Sequence, residues 1–266
     1  MKTIRFGLGM ILLLASVSGV LAQEHTFGLR AGTFTFPDGE IFHEFISIER
    51  PDASPQRTLN ISFRRDFDPD DFSGTVYEFL YTFRRDEDAH FQMDLSAGLY
   101  KSDVTSVTSG TVRKYDPRGD PGQDRFLPAN INDTLEYTLY YVQVVPTWQF
   151  TTGKFRFFVG GGLGLWANLW REVVEADYPD IFTCSNPDDY ATCTGTEQFR
   201  ESQGNRRTSV PINVSAGFFY QFLPHWSFNV EDRYVFNAES SVNLWRKDSE
   251  FDVGQNQVFI GFSYRL

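Results

Sequence analysis

The chain has 266 residues, a formal net charge of -11 and 17% aromatic residues, among them 27 Phe and 12 Tyr. With 22% charged residues the composition fits neither charge-rich disorder nor a bundle of apolar membrane helices, which leaves a soluble all-β domain or a membrane β-barrel. The acidic balance argues against nucleic acid as a partner, because phosphate recognition needs clustered Lys and Arg, and two cysteines allow at most one bridge.

Residues 1–22 read as a secretory signal peptide: Lys2 and Arg5 precede a short apolar run, and the small residues Val20 and Ala22 stand where a signal peptidase pocket must accept them. Fold reasoning therefore starts at Gln23, and residues 23–266 are read as one barrel domain. No later stretch reaches eighteen consecutive apolar residues, so only strands are available to cross a membrane.

Eight segments then alternate. Phe27, Leu29, Ala31 and Thr33 oppose Gly28, Arg30, Gly32 and Phe34, and Tyr77, Phe79, Tyr81 and Phe83 oppose Glu78, Leu80, Thr82 and Arg84. Past the polar connection 85–89, Phe91, Met93, Leu95 and Leu99 alternate with Gln92, Asp94, Ser96 and Tyr100. A fourth segment sets Tyr140, Val142, Val144, Pro146, Trp148 and Phe150 against Tyr141, Gln143, Val145, Thr147 and Gln149. It ends at the turn 151–154, where Gly153 supplies positive φ. The fifth turns Phe157, Val159, Leu163 and Leu165 outward and Arg156, Gly160, Gly162, Gly164 and Trp166 inward. The three glycines are expected to leave room for long lumen side chains. The sixth opposes Ile212, Val214, Ala216 and Phe218 to Asn213, Ser215 and Gly217.

After the short turn 223–225 the seventh segment opposes Phe228, Val230, Tyr234 and Phe236 to Asn229, Glu231 and Arg233, but Asp232 falls on the greasy row. A bulge, protonation or a partner contact is expected there. The last segment is the cleanest: Val258, Ile260, Phe262, Tyr264 and Leu266 alternate with Phe259, Gly261, Ser263 and Arg265.

Short connections alternate with long ones at 37–73, 101–134, 171–207 and 240–254. Short turns inside and long loops outside are the asymmetry of an outer-membrane barrel, whereas a soluble sandwich has no reason to lengthen every second connection. The expected fold is all-β, an eight-stranded antiparallel transmembrane β-barrel. Alternating pieces at 41–49 and 58–64 make ten strands the runner-up, although an extracellular hairpin is preferred because Glu44 interrupts the apolar row. Trp148, Phe150, Phe222 and Trp226 at one end, and Tyr140, Trp170 and Tyr234 at the other, are assigned to interfacial girdles.

With these rows in hand, the sequence resembles the small outer-membrane β-barrel families of Gram-negative bacteria, the porin-family group that includes OmpW-like proteins. The resemblance rests on Val258, Ile260, Phe262 and Tyr264 upstream of the terminus, with Leu266 where Phe is usual. It implies residence in the cell outer membrane, contact with outer-membrane lipid and lipopolysaccharide, and recognition by the barrel assembly machinery. It says little about function.

Parity sends Arg30, Arg84, Arg156, Arg233 and Arg265 inward with Glu78, Asp94 and Glu231. An eight-stranded barrel is just wide enough for its side chains, so these charges are expected to pair into a salt-bridged core rather than line a conduction path. Cys184 and Cys193 are expected to form one local disulfide in an oxidising compartment.

Asp66, Asp68 and Asp70 form a weak calcium candidate, with Asp71 where an EF-hand needs glycine and Tyr77 at the twelfth position, so a solvated acidic loop is preferred and no metal is assigned. His43 near Ser47, Glu44 and Glu49, and the triplet Arg118-Gly119-Asp120, are short groupings that arise readily by chance. Residues 37–73 and 171–207 are both rich in Asp and Glu, so the outer face is read as acidic.

The sequence thus points to a barrel without cofactor or catalytic residues, with a structural or surface-binding role through its loops and an external ligand it does not identify. A narrow channel for small or apolar solutes is the alternative from a second class, and a lipid-modifying hydrolase is a third.

Overall fold

The computed structural model describes residues 24–35, 43–51, 58–85, 90–115, 124–186, 189–236, 239–245, 247–252 and 256–266. The signal segment 1–22 and the Arg118-Gly119-Asp120 triplet lie outside them. In chain order the strands are β1 (Glu24–Phe34), β2 (His43–Pro51), β3 (Thr58–Asp66), β4 (Gly74–Arg84), β5 (Phe91–Tyr115), β6 (Asp124–Thr152) and β7 (Phe155–Pro179). They continue with β8 (Thr196–Ser209), β9 (Ile212–Gln221), β10 (Trp226–Phe236), β11 (Glu239–Leu244), β12 (Lys247–Asp252) and β13 (Asn256–Arg265).

Every pairing between these strands is antiparallel, and β5, β4, β1, β13, β10, β9, β7 and β6 follow one another until β6 meets β5 again. This is a closed ring of eight. Closure leaves the barrel no edge strand, and tight turns such as the one at Gly153, with φ of 58°, join neighbours at one end. β2 and β3 form a hairpin that joins the sheet only beside the far part of β5, from Asn60↔Arg113 to Phe63↔Gly110, and not the ring.

Alternation decides which side chains meet. On β13 Val258, Ile260 and Phe262 are exposed while Gln257, Phe259 and Ser263 are buried, and the same period of two runs through β1, β6 and β9. The exposed members form an apolar outer band: Leu29, Phe79, Val159, Leu163, Val214 and Ile260 belong to five different ring strands. Aromatics stand at its margins, with Trp148, Phe150, Phe155 and Trp226 toward the short turns and Tyr77, Tyr140 and Tyr234 toward the other end. The bilayer supplies the apolar medium that such a surface otherwise lacks.

Trp170, expected in the outer girdle, is instead interior, only 2% exposed against 57% for Trp148. The parity of β7 explains the difference, since Trp166, Asn168 and Trp170 share the inward face. Gly160 and Gly162 also have a different job from the one expected. A Cβ at Gly162 would collide with the Val144 carbonyl and one at Gly160 with Thr147, so these glycines let β6 and β7 approach closely beside Pro146. Glycines that do make space for large lumen side chains include Gly98 under the ring of Tyr141, Gly32 beside Phe259, and Gly164, which lies against the side chains of Trp166 and Gln143.

The segments 101–134 and 171–207, expected as loops, are largely strand. β6 runs for 29 residues, where crossing a bilayer takes roughly 9–11. Beyond the ring β5 exchanges its neighbour β4 for β3, and β7 exchanges β9 for β8. The result is a projecting sheet in the order β2-β3-β5-β6-β7-β8. Its polar outer face explains why no greasy row announced it. Its inner face buries Ile46, Ile48, Ile61, Phe63, Leu127, Ile131, Val174 and Phe199 in a core of its own.

Candidate functional site

The lumen is filled in tiers. Near its middle Arg30 from β1, Glu78 from β4, and Glu231 and Arg233 from β10 form a square of alternating charge. Arg30 Nε donates to Glu78 Oε1 at 2.6 Å and pairs with Glu231 as well, while Arg233 donates to Glu78 Oε2 at 2.8 Å and to Glu231 Oε1 at 2.9 Å. All four are almost fully buried. Tyr141 Oη donates to Glu78 at 2.6 Å, and the Phe259 ring lies 4.9 Å from the Arg30 guanidinium and 4.5 Å from that of Arg233. Two positive and two negative groups cancel, which is how buried charge becomes tolerable in so narrow a space. Gly261 lets Arg30 reach in, because a Cβ there would strike the Arg30 backbone.

The other inward charges lie toward the short turns. Asp94 accepts from Thr82 Oγ1 at 2.7 Å and Gln92 Nε2 at 3.0 Å, Arg84 pairs with Glu24, and Arg156 stands 3.6 Å from Glu24. Arg265 donates to the Pro224 carbonyl at 2.9 Å on the rim. Thus Arg30, Glu78, Glu231 and Arg233 come together, while Arg84, Arg156, Arg265 and Asp94 do not join them. Glu24 and Tyr141 were missed. Glu24 precedes the first greasy residue, and a tyrosine in an inward row carries no mark of its hydroxyl's partner.

Above the square the lumen turns aromatic. Phe34 stacks on Tyr100 at 4.4 Å between centroids, Tyr137 lies 4.3 Å from Trp170, and Tyr141 lies 5.8 Å from Trp166. The segment holding Asp66, Asp68 and Asp70 supplies the lid of this stack. Asp68 Oδ1 accepts from the Asp70 amide at 3.1 Å and starts a 3-10 turn over Pro69–Phe72, which delivers Phe67 and Phe72 into the aromatic cluster. Asp68 thus caps a turn that seats a plug, and among the described residues no group of three or more His, Cys, Asp or Glu side chains is placed to hold a metal ion.

Higher still, within the projecting sheet, Arg65 pairs with Glu172 and has Asp133 at 3.6 Å, all three fully buried. Two carboxylates share one guanidinium. Burial and the neighbouring Glu172 hold the Asp133 carboxyl up at about 8, so it keeps its proton at neutral pH. A folded value above the unfolded one of about 3.9 means the folded state retains a proton that the unfolded chain has lost. Stability therefore falls as pH rises from about 4 to about 8 and levels off above that. Asp133→Asn removes this slope. Thermal melts of the projection are expected to favour the variant at pH 8 and to coincide with the parent at pH 4. Nearby Lys114 pairs with Glu197, which also accepts from Tyr178 Oη at 2.9 Å. The sequence offered no signal for either group, because their members come from strands whose register in the projection was unknown.

Cys184 and Cys193 form a disulfide, tying the two short 3-10 turns between β7 and β8. Val258, Ile260, Phe262, Tyr264 and Leu266 all face outward along the last strand. Of the three alternatives expected at Asp232, the bulge is absent: the residue pairs in unbroken register with Val258 and Ala216, and its side chain is exposed on the outer row. Alternation along β10 is kept by Glu231 and Arg233, whose inward pairing leaves Asp232 no other side to take. The side chains of His43 and Glu44 lie outside the described residues, while Ser47 Oγ is bonded to Asn60. His25, His90 and His225 are spread around the short-turn end, with Nδ1 engaged by Tyr81 Oη, the Gln149 carbonyl and the Arg265 carbonyl respectively.

The chain therefore folds as an outer-membrane-type β-barrel with a packed interior. No family model and no curated protein matches the sequence. Among solved structures it is similar to the outer membrane protein OprG from Pseudomonas aeruginosa, at 13% identity and a TM-score of 0.45 over 92% of this chain and 96% of that one. It is also similar to Neisserial surface protein A, at 11% identity and a TM-score of 0.41 over 91% and 96% of the two chains. A third similar structure is Ail, the attachment invasion locus protein of Yersinia pestis, in complex with the heparin analogue sucrose octasulfate. There the identity is 11% and the TM-score 0.33, over 91% of this chain and 98% of that one.

Proposed function

We propose that this chain is an outer-membrane barrel of a Gram-negative bacterium whose barrel anchors and whose projecting sheet does the work, as a structural element or a binding surface at the cell exterior. The carrying observation is that the charge square, the aromatic stack and the core of the projection follow one another through the interior with buried side chains at each tier. A lumen filled in this way favours an anchor over a conduit. The wall supports the same reading, since Gly160 and Gly162 hold β6 and β7 too close for a gap beside Pro146.

The projection, by contrast, is large and carries its own core, which a barrel needing only short connections does not require. Its outer face mixes Arg113, Asp124, Arg171, Glu136, Arg200 and Glu175 in exposed pairs, a surface suited to polar partners. Contact with lipopolysaccharide and insertion by the barrel assembly machinery belong to this reading, as does the absence of catalysis. Planar bilayer recording on the purified protein tests it. The reading expects no steady conductance steps; reproducible unitary steps would replace it with the narrow-channel function.

A further inference from the structure

The short-turn mouth of the barrel encloses a cavity of about 240 Å³. Its cationic lining is drawn from separate elements: Arg84 ends β4, Lys154 stands in the β6–β7 turn, Arg156 opens β7 and Arg265 ends β13. His225 from the β9–β10 turn sits on the same rim. Glu24 stands against them, paired with Arg84 and 3.6 Å from Arg156. In a chain whose net charge is -11 this concentration of positive side chains runs against the overall composition.

Arg156 is the most informative member. Its guanidinium carbon lies 4.4 Å from the centre of the Phe219 ring, and its Nε is buried with no hydrogen-bond partner among the described residues. A guanidinium in the lining of a cavity that other cations share can donate through its planar fork to two oxygens of a phosphate or carboxylate. The charge square higher in the lumen is self-neutralised and offers no comparable excess.

We propose that this mouth is a binding site for a phosphate-bearing anion, with Arg156 as a donor and Arg84, Arg265 and Lys154 converging on the same oxygens. The phosphate belongs either to a soluble small molecule on that side of the membrane or to a phospholipid headgroup whose acyl chains stay in the adjacent leaflet. Both present the same chemistry to the site. The proposal is independent of the role given to the projecting sheet, because the two lie at opposite ends of the barrel.

Calorimetric titration of the full chain in a nonionic detergent tests it with two probes, inorganic phosphate and dihexanoyl phosphatidic acid. Saturable one-to-one binding of at least one probe is expected. Phosphate alone assigns a soluble ligand, and the lipid alone assigns a headgroup. Arg156→Gln is expected to weaken binding tenfold or more and Lys154→Gln severalfold, while Glu24→Gln, which removes the opposing carboxylate, is expected to tighten it. Lys154 is an exposed turn residue, so its variant keeps the test decisive even if Arg156→Gln does not refold. Absence of binding by both probes, or equal affinities in Lys154→Gln, Glu24→Gln and the parent, overturns the proposal.

Discussion

Glu78→Ala is expected to lower the unfolding free energy of the barrel by about 3–5 kcal/mol, the cost of leaving a buried charge without its partner. Glu78 accepts from Arg30, Arg233 and Tyr141 at once, so its removal leaves two guanidinium groups sharing the single carboxylate of Glu231. Neither arginine has an exit, since both are almost fully buried and both lie over the Phe259 ring. Urea unfolding in phospholipid vesicles measures the effect. Glu78→Gln is expected to fall between the alanine variant and the parent, because it keeps an acceptor for Tyr141 but not the charge. A loss below about 1 kcal/mol for Glu78→Ala would mean that water reaches the square and solvates the arginines, at odds with a packed lumen.

Trp170→Ala is the second large effect, with an expected cost of about 3–5 kcal/mol for truncating a buried Trp in an aromatic cluster. Its ring touches those of Tyr137 and Phe72, joining the barrel filling to the plug delivered by the 3-10 turn. A girdle tryptophan at the lipid surface would cost far less. Fluorescence separates the two positions independently: brominated lipid is expected to quench Trp148 and Trp226, which are exposed on the outer band, and to leave Trp170 and Trp166 unquenched. If Trp170→Ala shifts stability by less than about 1 kcal/mol, the aromatic tier is not load-sharing and the plug is loosely seated.

The barrel itself was legible because a strand's period of two makes each side chain's face a matter of counting. Once Phe27, Leu29 and Ala31 are set outward, Arg30 must be inward, and the same count on five further strands gathered the charges of the lumen. Counting faces does not give heights, however. Which inward charges meet depends on register between strands distant in sequence, and so Arg84 and Arg156 could not be separated from Arg30 and Arg233 beforehand. Trp170 was misplaced for the opposite reason: its height suggested the interface, while the face it shares with Trp166 decides the matter.

The projection was hidden by its solvent. Where lipid bathes a strand the outward row is apolar and the alternation stands out, but along the far part of β5 the outward residues are Lys101, Asp103, Thr105, Val107 and Ser109, a mostly polar row that reads as loop. Only a core folded over the inner face reveals them as strand. Asp232 remains an exposed carboxylate on the outer row of β10: the inward pairing of Glu231 and Arg233 fixes its direction, but nothing in the structure explains a charged residue at that position.

The central claim, lipid outside and a packed interior within, is tested most directly by nitroxide scanning of β13 in phospholipid vesicles. Labels at 258, 260 and 262 are expected to collide freely with dissolved oxygen and rarely with a water-soluble nickel chelate. Labels at 259, 261 and 263 are expected to be immobilised and shielded from both. Strong nickel collisions at the second set would show a water-filled lumen, and equal values along the whole strand would show that no alternating lipid face exists.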